Sequence, residues 1–326
     1  MKSIEELLEV IERNLSEYRE NNLFYPAELY DPVFYTLQHG GKRIRPVLVL
    51  MGLNLFEDCI DEGIASALAV EIFHNFTLLH DDIMDNSSQR RSRPTVHKKW
   101  GVNTAILSGD AMMILAYRFL AKSPQKHLSS LMNVFNKAAL EVCEGQQLDI
   151  NFEAGSSVQE KDYLEMIRLK TSVLLAAALQ MGAVLGNADQ EDQENLYLFG
   201  LNLGLAFQLQ DDYLDTFGDQ SVFGKRIGND ILTNKKTFLL VKALEISAET
   251  TREKLVKRMI LNDGNETEKI RQVTEIYEDL SIAELTKQKI RHFHQNSLDH
   301  LSRVKVDDER KAFLLELAEQ LITRDK

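Results

Sequence analysis

The chain has 326 residues, 44% hydrophobic and 27% charged, the balance of a globular protein with a substantial buried core rather than of a disordered chain. A formal net charge of −12 excludes nucleic acid as a general partner, so an anionic ligand has to be met by local basic clusters or by metal ions. Only 5 Pro and 16 Gly, without clustering, disfavour a turn-rich β architecture and mark no linker.

In chain order, the N-terminal segment Met1 to Glu20 is charged and amphipathic, without the apolar core and cleavage site of a leader. Ile4, Leu7, Leu8, Ile11 and Leu15 recur at helical spacing. Asp31 to Arg45 ends in Gly40-Gly41-Lys42-Arg43-Ile44-Arg45, and Pro46 stands where a first helical turn begins. Val47 to Leu55 continues as an apolar helix, and Ala65 to Met84 is a long, nearly all-apolar helix buried on most sides. Arg90 to Pro94 is a basic break. Thr104 to Ala121, Lys137 to Phe152, Lys161 to Leu185 and Glu194 to Phe217 are further helices, and Asp219 to Asn234 is a loop. From Lys235 onward, amphipathic helices alternate with short turns such as Asn262-Asp263-Gly264. No alternating β-branched run competes, so the expected fold is all-α, a single domain over residues 1–326.

Two cysteines, Cys59 and Cys143, make neither a disulfide framework nor a zinc site and are expected to be reduced core thiols. No uninterrupted apolar stretch approaches the roughly 20 residues of a membrane span. A soluble, cytoplasmic protein without stable membrane insertion is therefore expected.

One acidic pattern occurs twice at the end of an apolar helix, as Asp81-Asp82-Ile83-Met84-Asp85 and as Asp211-Asp212-Tyr213-Leu214-Asp215. Residues four apart share a helix face, so Asp81 projects with Asp85 and Asp211 with Asp215. Carboxylates this close repel unless cations lie among them. Oxygen-only ligands suit Mg²⁺, which completes its shell with water and substrate phosphates. A single such motif could be a solvated helix end; two copies after buried helices point to a clamp for Mg²⁺ and a diphosphate. Basic clusters at Lys42, Arg43 and Arg45, at Arg90, Arg91 and Arg93, and at Lys225-Arg226 with Lys235-Lys236 supply forks and point charges for phosphate oxygens. His74, His80, Phe73, Phe76 and Trp100 are, on their residue types alone, most simply packing groups.

Taken together, GGKRIRP at 40–46, DDIMDNSSQRR at 81–91, RLKT at 168–171, FQLQDDYLD at 207–215 and GKRIGNDILTNKKT at 224–237 resemble the trans-isoprenyl diphosphate synthases, the polyprenyl synthetase family. The resemblance implies a helical bundle of the isoprenoid synthase type with a central apolar cavity. It also implies homodimers and a Mg²⁺-dependent condensation of isopentenyl diphosphate with an allylic diphosphate (dimethylallyl, geranyl or farnesyl) into a short all-trans chain. By resemblance, Asp81, Asp82, Asp85, Asp211, Asp212 and Asp215 bind several Mg²⁺ ions. Arg90, Lys170, Lys225 and Lys235 hold the allylic diphosphate, and Lys42, Arg45, His74 and Arg91 hold isopentenyl diphosphate. Thr171 and Gln208 line the reacting carbons, and Lys170 and Arg90 take part in the chemistry. Arg324 resembles a basic tail that closes over the isopentenyl site in some relatives. Ser92 stands where the family usually has Gly, which should change that loop locally.

Phe76, five residues before Asp81, and Phe73, a turn deeper, are by resemblance the floor that limits product length, with Thr77 small where one farnesyl synthase type has a second aromatic. This pattern implies a geranylgeranyl product, with farnesyl as the alternative. A terpene cyclase lacks the second DDxxD and the isopentenyl site, and a non-catalytic subunit of a hetero-oligomeric synthase tends to lose its acidic motifs. Both readings fit this sequence less well.

Overall fold

The computed structural model describes residues 2–38, 40–153, 155, 158–218, 227–260 and 264–322. The chain is all-α as expected, with helices α1 (Ile4–Glu20), α2 (Ala27–Leu37), α3 (Ile44–Asn54), α4 (Ile64–Met84), α5 (Val96–Trp100), α6 (Val102–Leu120), α7 (Gln125–Glu153) and α8 (Glu160–Ile167). A π-helical turn, Arg168–Ser172, leads into α9 (Val173–Leu185), followed by α10 (Gln190–Phe217), α11 (Asn229–Leu232), α12 (Phe238–Ile246), α13 (Glu249–Ile260), α14 (Glu266–Asp279), α15 (Ile282–Arg303) and α16 (Asp308–Ile322).

Local chemistry accounts for the starts and faces. α1 opens on a capping box in which Ser3 Oγ accepts from the Glu6 amide and Glu6 Oε2 from the Ser3 amide, and it buries Leu7, Ile11 and Leu15. α4 buries Leu68, Val70, Ile72, Phe73 and Leu79, worth about 1.5–3 kcal/mol each for the large apolar side chains. It packs chiefly along α6 and also against α3.

Packing groups the chain into two compact units. The first comprises Met1–Asn136, Ala177–Leu196 and Lys305–Phe313; the second comprises Lys137–Ala176, Tyr197–Val304 and Leu314–Lys326. Several of these boundaries fall inside helices, so no linker composition marks them. In the second unit, Phe152, Tyr163, Met166, Leu205, Leu209 and Phe238 form one core cluster, and Leu239, Leu255, Val273, Tyr277 and Ile282 belong to another.

Three expectations need correction. The basic break is a small antiparallel hairpin, β1 (Gln89–Arg90) with β2 (Arg93–Pro94). Its two turn residues both have positive φ, Arg91 at 52° and Ser92 at 61°. A two-residue hairpin of the primed kind requires that, and Gly is the usual second residue; Ser92 adopts it without Gly. Cys59 and Cys143 are free thiols but exposed rather than in the core. α7 starts twelve residues before Lys137, its first turns being too polar to announce themselves in the sequence. The stretch Glu160–Leu185 is long and apolar enough to cross a membrane by length and composition, yet 78% of its most apolar window is buried inside the protein, as in a core helix.

Candidate active site

Asp81, Asp82 and Asp85 close the C-terminal end of α4, where the helix dipole already concentrates negative charge. A cation has to offset them, and β1 supplies it: Arg90 Nε donates to Asp82 Oδ1 at 2.9 Å and its Nη2 to Asp81 Oδ2 at 3.2 Å. Burial nevertheless lifts the Asp82 carboxyl above its ordinary range, against the pull of Arg90. Asp85 is exposed at the helix cap.

The tight hairpin sends neighbouring arginines to different tasks. Arg91 Nη1 donates to the Gly40 carbonyl, while Arg45 Nη1 donates to His74 Nε2 at 3.1 Å. Arginine has no acceptor, so Nε2 accepts and the imidazole proton sits on Nδ1. Burial, then the charges of Arg45, Arg91, Arg90 and Arg43, hold His74 well below the usual histidine range, and it is neutral at pH 7. Burial also brings Arg45 down to about 10, opposed by Glu71, and its Nε is a buried donor without a hydrogen-bond partner. Such a donor amid concentrated positive charge is what an anion would satisfy. The first unit therefore brings Arg45, His74 and Arg91 together, with Lys42 exposed on the adjoining loop.

In the second unit, Asp212 is 2% exposed. Its Oδ2 accepts from the Tyr163 hydroxyl and from the Phe238 amide at 3.2 Å, and its Oδ1 from Gln208 Nε2 at 3.3 Å. Burial pushes its carboxyl up to about 7, against Lys235 and the Tyr163 hydrogen bond. Asp215 accepts from the Asp230 amide at 2.9 Å; burial and the Asp230 carboxylate push it up to about 6. Lys235 is raised in turn: against the cost of burial, Asp230, Asp212, Asp149 and Asp211 hold its proton. Thr171 Oγ1 donates to Gln208 Oε1 at 3.2 Å, which leaves the hydroxyl lone pairs uncommitted by that bond.

Lys170 and Thr171 lie in the π-turn, an arrangement that recurs at functional sites. Gly145 of α7 permits it: a Cβ there would stand 2.3 Å from the Lys170 amide nitrogen. Lys170 Nζ reaches Asp149 Oδ2 at 2.6 Å. Asp149 and Asp230 escaped the sequence reading. Glu141, Gly145 and Asp149 recur every four residues on α7 and so share a face, but that spacing alone does not name Lys170 or Arg168, 3.8 Å from Glu141, as their partners. Asp230 sits inside GKRIGNDILTNKKT but carries no spacing signal of its own. Lys225, Arg226 and Arg324 lie outside the described residues.

Phe76 meets Phe73 at 5.6 Å and the His80 ring at 4.7 Å between centroids. Phe73 is fully buried against Phe135, a core residue, whereas Phe76 keeps partial exposure and Thr77 caps back onto the His74 carbonyl at 2.8 Å.

Among the described residues no three His, Cys, Asp or Glu side chains converge closely enough to hold a metal ion alone. Mg²⁺ does not need that, being held by one or two carboxylates plus water and phosphate. The donor sets are oxygen-only, and burial and the Asp230 carboxylate hold the Asp215 carboxyl at a raised pKa, a repulsion that a divalent cation relieves. The residues fit the ion.

The Asp212 shift has a testable sign. Its folded pKa of about 7 exceeds the unfolded value of about 3.9, so the native state holds a proton the unfolded chain has released. The stability this contributes is full below the unfolded pKa and lost as pH rises through about 7. In Mg²⁺-free protein, Asp212→Asn is expected to gain in Tm relative to the parent between pH 5 and pH 8. A difference that does not change with pH would remove the assignment.

The sequence matches the polyprenyl synthetase family over residues 26–280. It is 39% identical over 271 residues to a short chain isoprenyl diphosphate synthase of Methanocaldococcus jannaschii, covering 83% of this chain and 81% of that one. A geranylgeranyl diphosphate synthase of Methanosarcina mazei is 36% identical over 303 residues, 92% and 91% of the two chains. Among solved structures, a geranylgeranyl pyrophosphate synthase superposes with a TM-score of 0.93 at 43% identity, both chains covered completely.

Proposed function

The chain belongs to the polyprenyl synthetase family, and we propose that it condenses isopentenyl diphosphate with an allylic diphosphate to give geranylgeranyl diphosphate. The observation that carries this reading is a cluster of Arg45, His74 and Arg91 with an orphaned buried donor, next to carboxylates neutralised by Arg90, in a protein of net charge −12.

In this reading Asp81, Asp82 and Asp85, with Asp211 and Asp215, ligate Mg²⁺. Asp212, whose oxygens already take three hydrogen bonds, stands beside them as the sixth carboxyl of the set. Bound Mg²⁺ supplies charge neutralisation on the departing diphosphate. Arg90, Lys170 and Lys235, with Lys225, hold that diphosphate as the allylic C–O bond breaks and the electron pair leaves with oxygen. Lys42, Arg45, His74 and Arg91 orient isopentenyl diphosphate so that its double bond forms the new C–C bond. Neutral His74 donates through Nδ1. The Thr171 hydroxyl, whose proton is spent on Gln208, turns lone pairs toward developing positive charge. The proton lost from the condensed cation goes to the released diphosphate, so no side-chain base is required.

The test is product analysis with Mg²⁺, labelled isopentenyl diphosphate and each allylic primer in turn. A twenty-carbon diphosphate, abolished by chelator, is expected; no elongation with any primer would overturn the reading. Phe76→Ala removes the partly exposed ring above the Phe73 core and is expected to shift the product beyond twenty carbons. An unchanged distribution of chain lengths would discard Phe76 as the floor.

The same reading includes a homodimer. It is supported by the outer face of α6, where Leu107 and Ile114 are 59% and 61% exposed beside Val102 and Ile106, an apolar stripe that a second copy would cover. The double substitution L107D/I114D is expected to convert a dimer to a monomer in sedimentation. A parent chain that sediments as a monomer would rule the interface out. A cytoplasmic location without stable membrane insertion is supported by the two unpaired exposed thiols, and recovery in the membrane fraction of a cell lysate would argue against it.

A further inference from the structure

We propose that Arg43 is a positioning residue for isopentenyl diphosphate, its guanidinium locking the loop that carries Lys42 and leads into the first turn of α3, where Arg45 sits, to three separate helices. This rests on the isopentenyl assignment of Lys42, Arg45, His74 and Arg91 above.

By sequence, Arg43 groups with Lys42 and Arg45 as one more cation for a phosphate. The structure spends it otherwise. Arg43 is 5% exposed, and its three nitrogens point three ways: Nε to Glu12 Oε1 on α1 at 2.8 Å, Nη1 to Glu71 Oε1 on α4 at 2.6 Å, and Nη2 to the Leu37 carbonyl on α2. Such a fork is available to arginine and not to lysine, whose single ammonium cannot span three acceptors. The backbone requires the restraint. Arg43 begins α3 in the left-handed region, at φ 45°, which a side chain of this size rarely adopts, and Gly40 and Gly41 before it are also at positive φ. A loop of this kind is held by its partners rather than by its own preference.

Glu71 makes the link to the substrate groups. It is 3% exposed, and its Oε1 also accepts from Asn75 Nδ2 at 2.8 Å. His74 is three residues further along the same helix, so the ion pair that fixes the loop also fixes it relative to His74. Arg91 interlocks from the other side. Its guanidinium nitrogens stand 2.7 Å from where a Gly41 Cβ would be, and it donates to Gly40. Displacing the loop therefore displaces Lys42 and the first turn of α3 with Arg45 and takes from Arg91 its Gly40 partner, while the carboxylates at the end of α4 keep their own partner, Arg90.

The test compares steady-state constants of three variants. Arg43→Lys, which keeps the charge and loses the fork, is expected to raise KM for isopentenyl diphosphate about tenfold, with kcat and KM for the allylic substrate within about twofold. Glu12→Ala, at the half-exposed end of the network, is expected to raise the same KM about threefold, and it carries the test if Arg43→Lys does not fold. Equal losses toward both substrates, or a lower Tm with unchanged KM, would make Arg43 merely structural and overturn the proposal. Arg45→Ala separates the two levels. If it raises KM for isopentenyl diphosphate and Arg43→Lys does not, the pocket stands and the positioning role falls. If it leaves that KM unchanged, the pocket assignment itself fails.

Discussion

Asp81→Ala is expected to lower kcat about 10³-fold, equivalent to roughly 4 kcal/mol of transition-state stabilisation. Asp81 and Asp82 share Arg90, so truncating Asp81 leaves the arginine paired with the more buried partner and the fold intact. An exposed or half-exposed ion pair contributes on the order of 1 kcal/mol or less, and Tm should move by about two degrees at most. The loss therefore belongs to catalysis, not to folding. Asp81→Glu keeps the charge but lengthens the stem, and should recover only part of the rate. Rate measurements at saturating substrates and Mg²⁺, beside thermal melts, decide the matter: a kcat within tenfold of the parent would mean that the first motif is a solvated helix end.

Lys170→Ala is the second large effect, expected to lower kcat/KM for the allylic substrate about 10²–10³-fold with KM for isopentenyl diphosphate unchanged. The competing explanation is that Lys170 only neutralises Asp149, 2.6 Å away. A double-mutant cycle distinguishes the two. If neutralising Asp149 is its whole task, Lys170→Ala combined with Asp149→Asn restores activity, because no uncompensated carboxylate remains. If Lys170 also holds the departing diphosphate, the double variant stays as impaired as the single one. The π-turn sharpens the expectation. With Gly145 pressed against the Lys170 backbone, the side chain leaves from a fixed point, and even Lys170→Arg should recover little.

The acidic motifs were legible because a helix repeats its face every four residues, and Asp81 with Asp85 at the end of α4 needs nothing else to be seen. The same periodicity gave α1, with Leu7, Ile11 and Leu15 buried, and α4 almost to the residue. Asp149 obeyed that rule too, but its partner Lys170 is 21 residues away, and no spacing on one helix announces a contact with another. Arg43 is the opposite case. Its charge and its neighbours read as ligand-binding, and only the structure reveals that all three of its nitrogens donate within the protein, to Glu12, Glu71 and the Leu37 carbonyl.

What the sequence by itself determined is the helical class, the buried face of α1 and the extent of α4, and it pointed to a polyanion with a hard metal ion, since paired carboxylates and arginines in an acidic chain suit one. Tertiary structure decided how each of those charges is desolvated and paired. Arg43 and Asp212 are buried and each makes three hydrogen bonds within the protein, while Arg45 keeps an unpartnered buried donor and Asp85 stays exposed. The physical reason is that identical side chains differ in free energy by what desolvates and pairs them. Those partners, Glu12 and Glu71 for one residue and Tyr163 and Phe238 for the other, come from helices that only folding brings together.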